Sequence, residues 1–243
     1  MVSIIIPARD EADTIQETLN YLTSNLKDFP YEIIVVDDHS RDRTGEMVEE
    51  ISRNNPRIRL VRNNSSPGIG EALKKGFQYA RGEYVIPVMA DLCDDIPIIP
   101  RMYQKALEGY DIVCGSRYIP GGGRIGGPLW KGILSRWAGK TFHYLTAIPT
   151  WDITNAFKMY KREALNRVVL ESKGFEISVE IPLKLFFSGA RITEIPTVWR
   201  GRKKGKSKFS LSRLLLPYLR WLVWGLRKRM GGEEIFGFLG RDG

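Results

Sequence analysis

Residues 2–38 read VSIIIPARDEADTIQETLNYLTSNLKDFPYEIIVVDD and contain the pattern that decides the fold. Two short β-branched apolar runs, at 2–8 and 31–38, flank a segment at 13–26 whose apolar residues have helical spacing. A strand, a helix and a second strand in this order form a right-handed crossover between parallel strands. The stretch therefore predicts an α/β fold built on a mostly parallel sheet.

The same alternation continues through the first half of the chain. Further strands are predicted at 58–63, 84–91 and 111–118, and further helices at 44–52, 70–80 and 98–107. Helices that connect parallel strands cover both faces of the sheet. Ligands of such sheets bind outside the carboxyl ends of the strands, so the polar residues that follow the strands are the first candidates for a site.

Carboxylates and arginines follow four of the predicted strands. They are Glu11 with Pro7 and Arg9 after the first, Asp37 and Asp38 after the second, Asp91 after the fourth and Arg117 after the fifth. One aspartate at a strand end is often a helix N-cap, but four such ends favour a ligand site. No G-x-G-x-x-G follows the first predicted strand, which argues against a dinucleotide dehydrogenase, and the absence of a P-loop motif excludes the P-loop NTPases. Only two histidines and scattered cysteines argue against a zinc site.

Composition limits the class of protein further. The chain has 243 residues, 43% of them hydrophobic, which predicts one domain with a modest appendage. Its net charge of +9 predicts an anionic partner. Two cysteines, Cys93 and Cys114, fit a reducing, cytosolic setting without disulfides. No signal peptide is recognisable, and the apolar segment 211–226 is shorter than the roughly 20 residues of a span, so we expect no transmembrane helix.

Seven segments, spread from residue 3 to residue 209, carry a resemblance to a known family. They are SIIIPARDEADTI (3–15), EIIVVDDHSRDRT (32–44), VMADLCDD (88–95), VCGSRY (113–118), WDITNAFKMYKREAL (151–165), GFEISVEIPLK (174–184) and EIPTVWRGRKKGKSKF (194–209). In this order they resemble the family 2 glycosyltransferases of the GT-A fold, and among these the dolichol-phosphate mannose synthases. The resemblance implies an inverting transferase that uses GDP-mannose or UDP-glucose, a Mg²⁺ or Mn²⁺ ion and a polyprenyl phosphate acceptor at the cytosolic face of a membrane.

The resemblance also implies roles for individual residues. The nucleotide-sugar site would comprise Pro7, Arg9, Glu11, Asp37, Asp38, Ala90, Asp91 and Arg202. The acceptor phosphate would be bound by Arg117, Lys131, Ser135, Arg202 and Lys206. Asp91, as the metal ligand, and Arg117 would be the catalytic residues, because a guanidinium grips phosphate oxygens in a fork. Asp152 and Glu176 lie in family motifs on the sugar or acceptor side, and structural roles for both remain open.

The segment VMADLCDD departs from the family pattern at two positions. Met89 stands where relatives have an acidic residue, and Cys93 stands where many have a glutamine that binds the metal. Period-2 alternation along the predicted strand places Met89 and Asp91 on the same side. A thiol is a weak ligand for a hard cation, so Asp94 or Asp95 would supply the second metal ligand unless they cap the next helix.

The second half of the chain predicts contact with an anionic membrane surface. A segment at about 126–146 mixes tryptophans with cations at helical spacing, which is typical either of an interfacial helix or of an amphipathic helix packed on the sheet. It carries Lys131 and Ser135 on one face, because they are four residues apart. We expect a catalytic domain at 1–209 and an amphipathic membrane-surface helix and tail at 210–243.

A dense basic run at 200–208 precedes that last helix and helps to choose the anionic partner. Basic residues beside a helix rich in tryptophan and leucine favour anionic lipid. Nucleic acid is disfavoured because the run has almost no aromatic residues on which bases could stack. The chain would bind the membrane alone or dock on a separate membrane-anchor subunit.

A phosphate acceptor changes what the site must supply. A phosphate monoester is largely dianionic at neutral pH and needs no general base, so the site has to supply cations for two phosphate-bearing molecules. Two alternatives remain. One is a family 2 transferase with a non-lipid acceptor, which needs a carboxylate base for a sugar hydroxyl. The other is a non-catalytic relative that binds nucleotide sugars, which the replacement at Met89 would explain.

Overall fold

The structure is a computed structural model that describes residues 1–202 and 211–231, with side chains of the last helix described from residue 215 onward. The elements are β1 (Val2–Ala8), α1 (Ile15–Asn25), β2 (Tyr31–Asp37), α2 (Thr44–Asn54), β3 (Ile58–Arg62), α3 (Ile69–Tyr79), β4 (Tyr84–Pro87), α4 (Ile99–Leu107), β5 (Ile112–Ser116), β6 (Gly123–Ile125), α5 (Leu129–Thr146), β7 (Lys158–Lys161), α6 (Arg162–Leu165), α7 (Ile177–Phe187), β8 (Ile192–Pro196), β9 (Val198–Arg200) and α8 (Leu211–Arg229). A short 3₁₀ helix, Ile96–Ile98, precedes α4.

The main sheet has seven strands in the order β3-β2-β1-β4-β7-β5-β8. All its pairs are parallel except those of β7, which runs antiparallel to both β4 and β5. Two antiparallel steps restore the original direction, so β5 and β8 end at the same edge as β1, β2 and β4. The predicted α/β fold with a mostly parallel sheet is confirmed.

Alternation along β1 shows how the sheet is covered on both faces. Ile4 and Ile6 belong to one buried cluster with residues of α1 and α4, while Ile5 belongs to a second cluster with residues of α3, α5, α7 and α8. Successive side chains of a strand point to opposite faces, so a continuous apolar run such as SIIIPA indicates burial on both sides. The core therefore consists of two layers with the sheet between them.

The fourth strand is shorter than predicted. β4 ends at Pro87, whereas the sequence predicts a strand that continues to Asp91. After Pro87 the chain turns, and Leu92 has a φ of 59°, in the left-handed region. Met89 and Asp91 therefore lie in the loop after β4, where strand alternation does not define their direction.

The two long helices of the second half pack against each other. Arg229 on α8 donates hydrogen bonds to the carbonyl oxygens of Tyr144 and Leu145 at the end of α5, at 2.6 and 3.1 Å. Trp221 of α8 is only 2% exposed and belongs to the core. Helix α5 thus matches the segment predicted at about 126–146, whereas the division at residue 209 falls among residues that the structure does not describe.

Candidate active site

The loops that follow β1 and β2 are tied together at the carboxyl edge of the sheet. The backbone N–H of Asp10 donates to Ser40 Oγ at 3.1 Å, and that of Glu11 donates to Thr44 Oγ1 at 2.8 Å. Asp10 and His39 have φ values of 50° and 61°, which are uncommon for residues with a side chain. Such strain persists only where the surroundings hold it, and it clusters at functional sites.

Asp37 and Asp38 are buried, and their carboxylates accept hydrogen bonds from neighbouring loop residues. Asp38 Oδ1 accepts a hydrogen bond from Asn63 Nδ2 at 2.7 Å, and its Oδ2 accepts one from the Gly68 N–H at 2.9 Å. Asp37 Oδ1 accepts one from the Ser40 N–H at 3.0 Å. Both carboxylates therefore hold neighbouring backbone in place at the predicted nucleotide site.

Three more of the predicted nucleotide-sugar residues lie at this edge. Pro7 is the penultimate residue of β1, and Arg9 comes just after the strand; both are half-buried. Ala90 is buried, and its carbonyl oxygen accepts a hydrogen bond from Thr18 Oγ1 on α1 at 3.1 Å. The loop after β4 is thereby fixed against the first helix.

Arg202 lies between two of the predicted carboxylates, and we call Arg202, Asp91 and Glu11 the Arg202 cluster. The Nη2 atom of Arg202 lies 3.2 Å from Asp91 Oδ2 and 3.2 Å from Glu11 Oε1. Burial opposes the charge of the guanidinium, but the two carboxylates raise the pKa of Arg202 above its usual value. One positive nitrogen thus bridges the loops after β1 and β4.

Asp94 and Asp95, the residues expected to supply the second metal ligand, both accept backbone hydrogen bonds in the structure. Asp94 Oδ2 accepts a hydrogen bond from the Met89 N–H at 2.9 Å, and Asp95 Oδ2 accepts one from the Val198 N–H at 3.1 Å. Asp95 precedes the 3₁₀ helix but makes no side-chain cap bond there. These carboxylates hold the loop after β4 and strand β9, which leads directly to Arg202.

Burial and the nearby charge of Asp91 raise the pKa of Asp94 to about 7. The neighbouring Cys93 thiol is buried, and burial followed by the carboxylates beside it raises its pKa strongly. The thiol has Asp91 O as its hydrogen-bond acceptor at 3.7 Å. A neutral thiol in such a place offers nothing to a hard cation.

A divalent cation fits the Arg202 cluster better than it fits the aspartates after it. No group of three histidine, cysteine, aspartate or glutamate side chains in the described residues is arranged to hold a metal. In the Arg202 cluster, however, Asp91 and Glu11 face a single point, which the Arg202 nitrogen occupies and for which a cation would compete. Magnesium is commonly held by one or two carboxylates together with substrate phosphates, and this donor set meets that requirement.

Arg117 forms the second charged group, and we call Arg117, Asp152, Ser135 and Thr154 the Arg117 cluster. The guanidinium makes a two-pronged pair with Asp152, from Nε to Oδ2 and from Nη2 to Oδ1, each at 2.7 Å. Its Nη2 also donates to Ser135 Oγ at 2.9 Å and to Thr154 Oγ1 at 3.2 Å. Burial opposes the charge, but the Asp152 carboxylate raises the pKa of Arg117 further above its usual value.

Strand order explains how this cluster forms. Arg117 follows β5, and Asp152 and Thr154 precede the antiparallel β7, whose start therefore lies at the same edge of the sheet. Helix α5 comes close because residue 139 is a glycine, and a Cβ there would overlap the carbonyl oxygen of Trp151. That close approach brings Ser135 on α5 to the turn that carries Thr154.

The structure brings together most of the predicted site residues and adds one, Thr154. Arg117 and Ser135 are in contact, as are Arg202, Asp91 and Glu11. Lys131 lies one turn before Ser135 on α5 and is half-buried, and Lys206 lies outside the described residues. Asp152 is found to pair with Arg117, and Thr154 was not predicted from the sequence. A polar WDITN segment before a strand was the available signal.

The two clusters are neighbours. The charge of Arg117 acts on Asp94 and opposes the rise of that carboxyl's pKa, although burial and Asp91 prevail. The site therefore presents two arginines and several carboxylates along one sheet edge. Such an edge can bind a phosphate-bearing ligand at each arginine and a cation between them.

The fold identifies the structural class of the protein. With 21% identity and a TM-score of 0.67, the structure resembles glucosyl-3-phosphoglycerate synthase from Mycobacterium tuberculosis, solved with Mn²⁺, UDP and glucosyl-3-phosphoglycerate, over 97% of this chain and 81% of that one. The fold is thus that of the GT-A glycosyltransferases.

The family follows from the sequence comparison. The model of glycosyl transferase family 2 matches residues 3–169, and the chain belongs to that family. It is 31% identical to dolichol-phosphate mannosyltransferase of Pyrococcus furiosus over 90% of this chain and 62% of that protein, so it spans less than two thirds of that relative. It is 30% identical to undecaprenyl-phosphate mannosyltransferase of Micrococcus luteus over 95% of this chain and 99% of that protein. The family resemblance is confirmed.

Proposed function

We propose that the protein transfers a sugar, mannose from GDP-mannose in the first place and glucose from UDP-glucose in the second, to a polyprenyl phosphate. The observation that carries this proposal is the pair of arginine clusters at one sheet edge. Each arginine has carboxylate partners that hold it, which suits a site for two phosphate-bearing substrates. The names of the two mannosyltransferases support the choice of donor and acceptor.

The reaction is a displacement at the anomeric carbon of the donor. A phosphate oxygen of the acceptor forms the new bond to this carbon while the bond to the nucleoside diphosphate breaks. Arg117, Lys131, Ser135 and Lys206 would bind the acceptor phosphate, and Arg202 would bind the leaving diphosphate. Asp91 and Glu11 would hold a Mg²⁺ or Mn²⁺ ion, which would supply positive charge to neutralise the leaving group.

A glycosyl transfer assay tests the function. Purified protein with a prenyl phosphate and radiolabelled GDP-mannose or UDP-glucose should form a glycolipid in the presence of Mg²⁺ or Mn²⁺. Asp91→Ala should reduce the rate at least a hundredfold, because one well-placed electrostatic contact contributes about that much. Arg200→Ala, on the exposed strand β9, is the matched control and should retain most activity.

The outcomes separate the alternatives. Transfer to a soluble acceptor but to no prenyl phosphate would establish a family 2 enzyme with a non-lipid acceptor. Binding of nucleotide sugar without transfer to any acceptor would establish a non-catalytic relative. Either result would reject the proposed function.

Membrane contact at the cytosolic face is the second part of the proposal. Helices α5 and α8 expose large apolar residues beside cations: Leu129 is 85% exposed, Trp137 64% and Leu216 74%. Lys140 lies over the Trp137 ring at 5.6 Å, an arrangement that suits the headgroup region. None of the helices in the described part of the chain is both long and apolar enough to cross a membrane.

Co-sedimentation with liposomes that contain anionic lipid tests this surface. The wild-type protein should sediment with them, and Trp137→Ser should weaken binding about tenfold, because the variant loses a large apolar contact. Tyr79→Ser, at another exposed aromatic residue at the end of α3, is the matched control. Sedimentation only when a membrane-anchor subunit is added would assign the contact to that partner.

A further inference from the structure

The hydroxyl groups of Ser135 and Thr154 form a hydrogen bond in which either one can be the donor. Their oxygen atoms are 2.8 Å apart, so one of them donates to the other. Ser135 is on α5, and Thr154 is in the turn before β7. Both residues are half-buried, so the pair is partly accessible from the edge of the sheet.

The neighbouring charges permit two arrangements of these protons. Thr154 Oγ1 lies 3.4 Å from Asp152 Oδ1, so its proton can point to that carboxylate while Ser135 donates to Thr154. Alternatively, Thr154 donates to Ser135. The proton of Ser135 then has no acceptor among the residues that the structure describes and points away from Thr154.

The second arrangement is the one that an anion selects. In both arrangements Arg117 Nη2 donates to Ser135 Oγ, which keeps this oxygen fixed. A phosphate oxygen beside Ser135 would accept a hydrogen bond from the serine hydroxyl. The Thr154 hydroxyl would then donate a hydrogen bond to Ser135 Oγ. Hydrogen bonds to a charged acceptor are the strong ones. The contact of Thr154 with the Asp152 carboxylate, which this arrangement gives up, is long at 3.4 Å, so the bond to the phosphate prevails.

We propose that Thr154 is a positioning residue for the acceptor phosphate. Its hydroxyl donates a hydrogen bond to Ser135 Oγ, so that the Ser135 hydroxyl can donate to the phosphate while Ser135 Oγ stays bonded to Thr154 and Arg117. The inference rests on the proposed function, because it takes the acceptor phosphate to bind at the Arg117 cluster. No bond of the substrate is made or broken by Thr154. The residue acts through Ser135.

The test uses Thr154→Val, which keeps the shape and removes the hydroxyl, together with Thr154→Ser, which restores it. Thr154→Val should raise the KM for farnesyl phosphate about tenfold, the effect of one hydrogen bond to a charged group, and leave the KM for the nucleotide sugar unchanged. Thr154→Ser should return to the wild-type value. Calorimetric titration with farnesyl phosphate should give the same changes in Kd.

A double-mutant cycle distinguishes positioning from a general structural effect. Ser135→Ala should itself weaken farnesyl phosphate binding about tenfold, and adding Thr154→Val should have no further effect, because Thr154 acts only through the serine hydroxyl. Losses that multiply to about a hundredfold would overturn the inference. So would a Thr154→Val variant that raises the KM of both substrates together with a lower Tm.

Failure of the inference and failure of the function can be told apart. Wild-type transfer with an unchanged Kd in Thr154→Val rejects the inference alone. Binding of farnesyl phosphate that depends on Thr154, without transfer by the wild type, rejects the function and retains the inference. A wild-type protein that does not bind farnesyl phosphate rejects both.

Discussion

The two arginine clusters lie at the same sheet edge and are built differently. Arg117 is 10% exposed and pairs with the fully buried Asp152 through two hydrogen bonds of 2.7 Å. Arg202 is 20% exposed and reaches Asp91 and Glu11 at 3.2 Å. The first cluster balances one positive charge with one negative charge, whereas the second has two carboxylates for one arginine.

This difference separates a fixed group from an exchangeable one. A buried, two-pronged pair keeps its geometry, because breaking it leaves an uncompensated charge. Longer contacts at a more exposed position are weaker, and the excess carboxylate still attracts a cation. The Arg117 cluster thus keeps one geometry whether or not a ligand is bound, whereas the Arg202 cluster can exchange its partners.

The largest effect should come from removing the charge that holds Arg117. Asp152→Asn leaves the guanidinium buried against a neutral amide, and we expect it to lower the free energy of unfolding by about 3–5 kcal/mol. Chemical denaturation measures this loss. Arg202→Gln should cost less than about 1 kcal/mol in the same experiment. Equal losses in the two variants would contradict the distinction between the clusters.

An intermediate effect should appear in the pH dependence of stability without metal. The pKa of Asp94 is about 7, against 3.8 for an ordinary aspartate, so the folded state binds this proton more tightly than the unfolded state. Its contribution to stability is present below about pH 4 and is lost as the pH rises to about 7. Over this range Asp94→Asn should gain about 3–4 kcal/mol relative to wild type.

Denaturant titrations in EDTA at several pH values provide the measurement. Comparison with Asp94→Asn removes the contributions of carboxyl groups such as Glu32, whose pKa is lowered by its hydrogen-bond partners, although burial opposes this. Parallel curves for wild type and variant would show that burial and the charge of Asp91 do not raise the pKa of Asp94.

The smallest effect should be on cation affinity. Arg202→Gln removes the positive group that competes for Asp91 and Glu11, and an ion pair of about 1 kcal/mol corresponds to a roughly fivefold tighter Mn²⁺ Kd in the donor-free protein. Electron paramagnetic resonance of free Mn²⁺ measures this change. Arg200→Gln is the matched control, because Arg200 is exposed and lies 3.7 Å from Asp95 instead. Equal affinities in both variants would place the cation elsewhere.

Local sequence patterns predicted the strands and helices of the first half well. The predicted strand at 2–8 has the observed bounds, and the helix predicted at 70–80 lies at Ile69–Tyr79. Here the apolar period and the turn residues agree with the tertiary fold. The exception is β4, where the apolar run continues beyond Pro87 but its backbone leaves the sheet.

Contacts between distant segments were harder to predict. Arg117 and Asp152 are 35 residues apart, and their pairing depends on the antiparallel insertion of β7 between β4 and β5. Nothing in the residues themselves gives that strand order. The resemblance supplied Arg117 and Ser135, but Thr154 became visible only when the turn before β7 was placed beside α5.

The burial of both cysteines makes chemical labelling straightforward. Cys93 and Cys114 are the only two in the sequence; both are buried, and burial raises the pKa of Cys114 to about 12. Maleimides react with thiolates, so the native protein should remain unlabelled at neutral pH. One cysteine introduced at exposed Tyr144 on α5 could therefore carry a fluorophore that reports the polarity around this helix, with neither native thiol replaced.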